Sequence, residues 1–581
     1  MILQKLNEYH SRLVREGNTQ IPSFGFSVEK VWFEIELRPD GSFLFNPLFE
    51  TEGSRRIAKS LLVPLHSKRS GARPDPFFLC DNSKFALGVG SPEDNEKTQP
   101  PAECHLKFKK LFSQVCGDSK NSEVHAVLRF FEVLSPDRIS EVLEWTEDII
   151  GRFLVFRVSG MRHFVHESPE IRELWMDFIG RNEGGHGGKC MISGEIGTIA
   201  RIHDPIKGIR GGQSTGGTIV GFNDVAFWSY GGKSDETRFL NAPVGESVAA
   251  GYVAALNYLL RRGSSQMLQL NGTTLVFWSE APTTFESIFR DLVDPIDQVE
   301  VDSDFMARIY NYLQSLRSGK MPVDFRSTAE TGFYILGLSP NNARISIRLW
   351  QLSTVEKMSE YIGFYWKDMK LAHDGSRFPE FPGIRMLLTQ MAPLNDIKRI
   401  PPSWEGWLLR SILQGKCFPK PFLTAILNRI RSGGSLSYPR ISLVKAMMIR
   451  NFGKEVAMQL DWHNSSTGYR LGMLFAALEK AQRDASGPGL KATIRDRYFN
   501  AASSTPERVF PVLMKLSQSH LSKSGKIWDD QLITRVMSEI SMFPKTLPLA
   551  EQGMFAIGYY HMKSEIYTKK SNQEEEDEES N

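Results

Sequence analysis

Cysteine is scarce in this chain: there are five in 581 residues, Cys80, Cys104, Cys116, Cys190 and Cys417, and no CxxC pair. An odd, scattered set supplies no disulfide framework and points to reduced thiols in a cytoplasm. Cys190 lies near His186 but has no second Cys/His pair beside it, so no zinc site is expected. Apolar runs fall well short of the roughly 18 residues a membrane span needs. The start, MILQKLNEYHSRLVREG, lacks the apolar core and small-residue cleavage site of a signal peptide. Its Ile2, Leu3, Leu6, Tyr9 and Leu13 instead fit one face of an amphipathic helix. Internal repeats are absent. No metal and no cofactor is expected.

Net charge is also low, +3, but unevenly spread. Residues 401–570 hold 24 Lys/Arg against 12 Asp/Glu, and EEEDEE at 574–579 follows directly. A basic segment beside an acidic tail suits polyanion binding with limited nonspecific attachment.

Hydrophobic patterning predicts an α+β chain: a mixed N-terminal body of β-hairpins and helices, then an all-α C-terminal helical bundle. VWFEIELRPDGSFLFNPLFE reads as a hairpin about Arg38-Pro-Asp-Gly41, and RFLVFRVSGMRHFVHES as strand-turn-strand. VGESVAAGYVAALNYLLRRG reads as a helix and GTTLVFWSE as a strand. From about Ile400 seven amphipathic helical patterns follow one another, split by Gly, Pro and Ser. The expected divisions are an N-terminal α+β domain at 1–270, a middle α+β segment at 271–390, a basic helical bundle at 391–570 and a disordered acidic tail at 571–581.

What is abundant is glycine, concentrated in DPIKGIRGGQSTGGTIVGFNDVAFWSYGG, Asp204 to Gly232. The run is too Gly-rich for a helix and too long for one turn. Gly212-Gln213-Ser214-Thr215-Gly216 matches the GxSxG nucleophile elbow, which needs a strand before the serine and a helix after it. Here Pro205 and Gly208 interrupt the approach, and Thr218-Ile219-Val220 favours a strand beyond. A serine hydrolase using Ser214 is the alternative reading. A P-loop fails because Thr218 stands where its lysine belongs. Binding fits better. Lys207 and Arg210 add charge, while Gln213, Ser214, Thr215 and Asn223 can hydrogen-bond to base edges or sugar-phosphate oxygens. Phe222, Phe227, Trp228 and Tyr230 can stack on bases, although core packing is the expectation for most of them. Lys68 and Arg69, in a second Gly/Pro-rich loop with Asn82 close behind, have the same character. In the basic helical segment, Arg470, Lys480, Lys491, Arg495 and Arg497 are candidates for contact with a nucleic-acid strand. Of Arg495 and Arg497, one is expected to face DNA and the other to pair with Asp496 or Asp484.

These motifs together resemble the large subunit of the type I-C CRISPR Cascade. They include Val63-Pro64 with the Lys68 to Gly71 loop, Asp81-Asn82, Cys190 to Glu195, and Pro205 to Gly216. Phe222 to Gly231, Asn241 to Pro243, Val276 to Glu280 and Leu338 to Arg344 follow in order. Tyr469 to Gly472, Leu474 to Gln482, Ala492 to Phe499 and Glu551 to His561 complete the set. The resemblance implies a non-catalytic, cytoplasmic subunit that reads the PAM in double-stranded DNA, helps open the duplex and stabilises the R-loop. It implies as partners the CRISPR guide RNA, the target DNA, the handle-binding, backbone and small subunits, and a recruited helicase-nuclease, with no membrane. It also implies a small subunit made by internal initiation in the same reading frame, for which Met458 and Met473 are candidate starts.

Overall fold

The computed structural model describes all residues except 1, 19, 39, 53–54, 66–73, 92–98, 135–145, 183–185, 229–231, 233, 235, 271, 296–302, 373–377, 488–489 and 580–581. At 52, 55, 146–147, 181–182, 303, 306 and 568–579 it describes the backbone alone. Two units result: Met1–Arg262 with Asn341–Ile345, and Gly263–Pro340 with Ser346–Asn581. Among the described residues no helix is long and apolar enough to cross a membrane.

In the first unit, alternation on both sides of a turn does make a hairpin. Phe33–Leu37 pairs antiparallel with Phe43–Pro47, and Gly41 takes a φ of +86° that the turn requires. Phe33–Leu37 also pairs in parallel with Phe153–Val158, which pairs in turn with Cys80–Asn82. Phe33, Ile35 and Leu37 are buried with Leu154 and Phe156 against the helices Pro101–Cys116 and Ser122–Val133. A second antiparallel sheet joins Phe26–Val31, Arg55–Pro64 and Phe49–Glu52. The second strand expected after Val158 does not form. That segment is a 3-10 turn, Val165–Glu167, because Glu167 accepts the Phe164 N–H (2.8 Å) and starts a helix at Pro169. The N-terminal helix Ile2–Arg15 buries Leu6, Tyr9 and Leu13, as its periodicity predicts.

In the second unit, Met267–Gln269, Thr274–Ser279, Gly332–Asn341 and Arg344–Thr354 form an antiparallel sheet. Every residue of Thr274–Ser279 is buried. The 271–390 segment shares one continuous core with the helices after 400. Polar ties cross the expected boundary: Gln351 donates to the Leu413 carbonyl (2.7 Å), and Tyr438 to the Glu380 carbonyl (3.0 Å). Helices follow one another from Ser403 to Glu579. The last, Leu549–Glu579, runs on through the acidic stretch expected as a disordered tail, in keeping with the helix propensity of glutamate.

Three histidines are held neutral inside these cores. His105 bonds the Phe85 carbonyl (2.9 Å), His203 the Tyr252 hydroxyl (2.7 Å) and His561 the Tyr469 hydroxyl (2.8 Å). Burial pushes each down to about 4. The unfolded chain takes up these protons near pH 6.5, whereas the fold does not until about pH 4. Stability is therefore full above pH 6.5 and falls as the pH drops towards 4. At pH 5 each histidine is expected to cost about 2 kcal/mol. Urea unfolding at pH 7 and pH 5 measures this, and His561→Gln should remove its share.

Candidate nucleic-acid interface

Two backbone bridges at its base hold the glycine-rich loop. Ile206 and Gly217 exchange hydrogen bonds of 2.8 and 2.9 Å. Beyond them, the Thr218 N–H reaches the Ala343 carbonyl (3.1 Å), and the Ile345 N–H reaches Thr218 (3.0 Å). The strand expected at Thr218-Ile219-Val220 is thus a single bridge to the hairpin tip Asn341–Ile345. Asn257, on the helix Glu246–Leu259, fixes the loop's entry by accepting the Lys207 N–H (2.8 Å) and donating to the Pro205 carbonyl (3.3 Å).

The glycines serve this packing first. A Cβ at Gly208 (φ +87°) would lie 2.6 Å from the Leu260 carbonyl oxygen, and one at Gly216 (φ +90°) 2.7 Å from that of Ile206. What comes close to this backbone is the chain itself. Between these points, turns closed by Gly212 N–H to Ile209 (3.1 Å) and Gly216 N–H to Gln213 (3.0 Å) shape the tip. Lys207, Arg210, Gln213, Ser214 and Thr215 are all exposed there. Ser214 sits in this turn with no strand before it and no helix straight after it, so the nucleophile elbow is not formed.

Asn223 is committed elsewhere. Its side-chain oxygen accepts from Arg344, whose guanidinium also lies 4.7 Å from the centre of the Phe227 ring. Arg344 closes the Leu338 to Arg344 motif, but a separation of 121 residues hid its pairing with Asn223. Three of these aromatics, Phe222, Phe227 and Trp228, are not core, contrary to the expectation. Phe227 is exposed, and Phe222 and Trp228 are half-buried, because single bridges and a 3-10 turn, Val225–Phe227, give no layer to cover them. The Trp228 indole nitrogen is shielded and has no partner among the described residues. Phe222, Asn223, Arg201, His203, Arg238 and Phe239 line a cavity of about 210 Å³ beside the loop. Tyr230 lies outside the described residues.

Lys68 and Arg69 also lie outside them. Asn82 caps the short helix Ser83–Ala86 by accepting the Phe85 N–H (3.4 Å). Its neighbour Asp81 is fully buried and accepts the Phe77 and Asn82 N–H groups at 2.7 Å each. Cys190 likewise shapes backbone. Its sulfur accepts the Ile192 and Ser193 N–H groups (3.4 and 3.5 Å) in a turn completed by Gly194 at φ +78°. Burial pushes the Cys190 thiol up, but hydrogen bonds from the Gly245, Ser193 and Ile192 N–H groups and the Ser193 side chain outweigh it and leave the thiol below its usual range.

The cations proposed from the helical segment divide. Arg470 donates to the Asn464 and Glu539 carbonyls (2.8 and 2.7 Å) and pairs with the Glu539 carboxylate (3.3 Å). Lys480 is held by Asp484 and lies 3.9 Å from Asp529. Arg495 donates to the Gly434 carbonyl (2.7 Å) rather than to Asp496 or Asp484. Asp496 instead caps its own helix through the Thr493 N–H (2.7 Å), and Asp484 takes Lys480 and Lys526. Lys491 and Arg497 remain exposed. Three of the five candidates hold the fold, and two face outward.

A family model described as "CRISPR-associated protein (Cas_Csd1)" matches residues 6–567. Comparison with curated protein sequences returns no match.

Proposed function

The chain belongs to the Cas_Csd1 family of CRISPR-associated proteins, and we propose that it is the non-catalytic large subunit of a type I-C Cascade. In this reading it recognises the PAM in double-stranded DNA, helps open the duplex and stabilise the R-loop, and recruits the helicase-nuclease. One observation carries it: five polar or charged side chains within nine residues, Lys207 to Thr215, stand exposed on a loop pinned at both ends. A pinned tip loses little conformational freedom on binding, which favours base-edge contacts over loose electrostatic attachment. Lys207 and Arg210 supply phosphate contacts. Gln213, Ser214 and Thr215 offer donors and acceptors to the groove.

Two experiments test this. First, expression with its genomic neighbours should bring guide RNA and backbone subunits through purification with the chain. If it purifies alone and binds neither, the subunit reading fails. Second, Lys207→Ala/Arg210→Ala should weaken binding of all duplexes and lower the salt slope by about 0.9 for each phosphate no longer neutralised. An unchanged slope removes the loop from the interface.

The internally initiated small subunit is part of the same reading, and the two candidate starts are not equivalent. Met473 lies inside the helix Thr467–Ser486, so starting there discards the Ser466 cap and the Tyr469 bond to His561. Met458 precedes the helix and keeps both. The 458–581 segment carries its own aromatic core. The Phe475 ring lies 5.7 Å from Phe499, 5.9 Å from Phe555 and 5.9 Å from Tyr559. Intact-mass analysis of the purified complex should show a product beginning at Met458, and Met458→Leu should abolish it. A complex containing only the full-length chain would refute the internal start.

A further inference from the structure

A cavity of about 800 Å³ opens in the second unit, between the helices Val355–Met369 and Tyr438–Phe452 and the segment 453–458. Lys367, Lys370, Lys445, Arg450 and Lys454 line it, against two acids, Asp368 and Glu455. Some of that charge is already matched. Asp368 accepts from Arg450 Nε (2.6 Å), and Lys454 pairs with Glu551 (3.0 Å).

Not every donor among these cations is used. The Arg450 side chain is only 8% exposed. It uses Nε on Asp368 and Nη1 on the Ser411 carbonyl (2.7 Å), while its buried Nη2 has no partner among the described residues. Lys445 is 4% exposed, and its ammonium donates to the Lys370 carbonyl. Burial, the largest cause, lowers it to about 8. A buried guanidinium nitrogen without an acceptor is costly, and an anion with several oxygens would satisfy it. Beside these cations, Phe364 presents a ring that is 52% exposed, and Tyr361 is half-buried. An uncovered aromatic face next to cations with a donor to spare suits a phosphate carrying a base.

We propose that this cavity binds a nucleotide, its phosphate on Arg450 and Lys445 and its base against Phe364 and Tyr361. The phosphate comes either from a nucleic-acid strand or from a free nucleotide. The site lies in the other unit from the glycine-rich loop and does not depend on the loop's assignment.

The full-length chain is titrated by calorimetry with dAMP, a phosphomonoester, and with the dinucleotide dApdA, which carries only a phosphodiester. At least one should bind. Lys445→Met should weaken that binding tenfold or more. Phe364 and Lys367 are exposed, so Phe364→Ala and Lys367→Ala keep the test valid if Lys445→Met does not fold; each should weaken binding severalfold. Lys207→Ala/Arg210→Ala should leave it unchanged. Binding of dApdA identifies a strand as the source, and binding of dAMP alone identifies a free nucleotide. The proposal is overturned if folded wild-type protein binds neither, if binding ignores Phe364→Ala and Lys367→Ala, or if only an acidic peptide of sequence EEEDEE binds.

Discussion

Gln213→Ala, assembled in the complex, is expected to bring the affinities for PAM-bearing and PAM-free duplex together by about tenfold or more. A well-placed amide reading a base edge is worth about 1–3 kcal/mol of discrimination. Gln213 is the candidate because its side chain is exposed at the loop tip and enters no described hydrogen bond. Asn223, the other amide of the region, already spends its oxygen on Arg344. The loop's shape depends on the Gln213 carbonyl, which accepts the Gly216 N–H (3.0 Å) and survives the substitution. Thermal stability and assembly should therefore be unchanged, while competition binding with duplexes differing only at the PAM loses its spread. Undiminished discrimination would take base reading away from Gln213.

Gly472→Ala is expected to destabilise the second unit by about 3 kcal/mol. The helices Thr467–Ser486 and Leu549–Glu579 cross with their backbones touching. A Cβ at Gly472 would lie 2.1 Å from the Phe555 carbonyl oxygen, one at Gly558 2.1 Å from that of Tyr469, and one at Gly468 2.0 Å from that of Glu551. Backbone cannot swing aside as a side chain can, so the helices must separate along their length. Phe475 and Phe555 pack across this seam with ring centres 5.9 Å apart, and their packing would loosen with it. Gly406, inside the helix Ser403–Leu413, is the control: nothing lies within 4 Å of its Cβ position. Gly406→Ala should stabilise by up to about 1 kcal/mol through helix propensity alone. Urea unfolding of both variants decides, and equal midpoints would show that the seam yields freely. If the 458–581 product exists, Gly472→Ala should deplete it too, since both helices lie within it.

The seam also reassigns two motifs. Tyr469 to Gly472 and Glu551 to His561 carry the resemblance to a DNA-binding subunit, yet their glycines are where one helix lets another approach. The Tyr469 and His561 side chains hydrogen-bond each other in the core.

Local physics decides much of this protein without reference to distant contacts. Alternation about the Arg38–Gly41 turn made a hairpin, and period 3.6 with Gly, Pro and Ser breaks marked out the C-terminal helices. A Gly-rich run with interspersed cations was legible as something other than a helix or a single turn. Such signals depend on neighbours a few residues away, so one sequence reveals them. Which cations are free is a different kind of fact. Arg470, Lys480 and Lys491 look alike in sequence, but Glu539 and Asp484 hold the first two and leave Lys491 exposed. Arg344 joins Asn223 across 121 residues, and Arg450 keeps an unmatched nitrogen because Asp368 and the Ser411 carbonyl satisfy the others. Charge pairing and close approach are settled by distance in space, and only the folded chain brings those partners within a few ångströms.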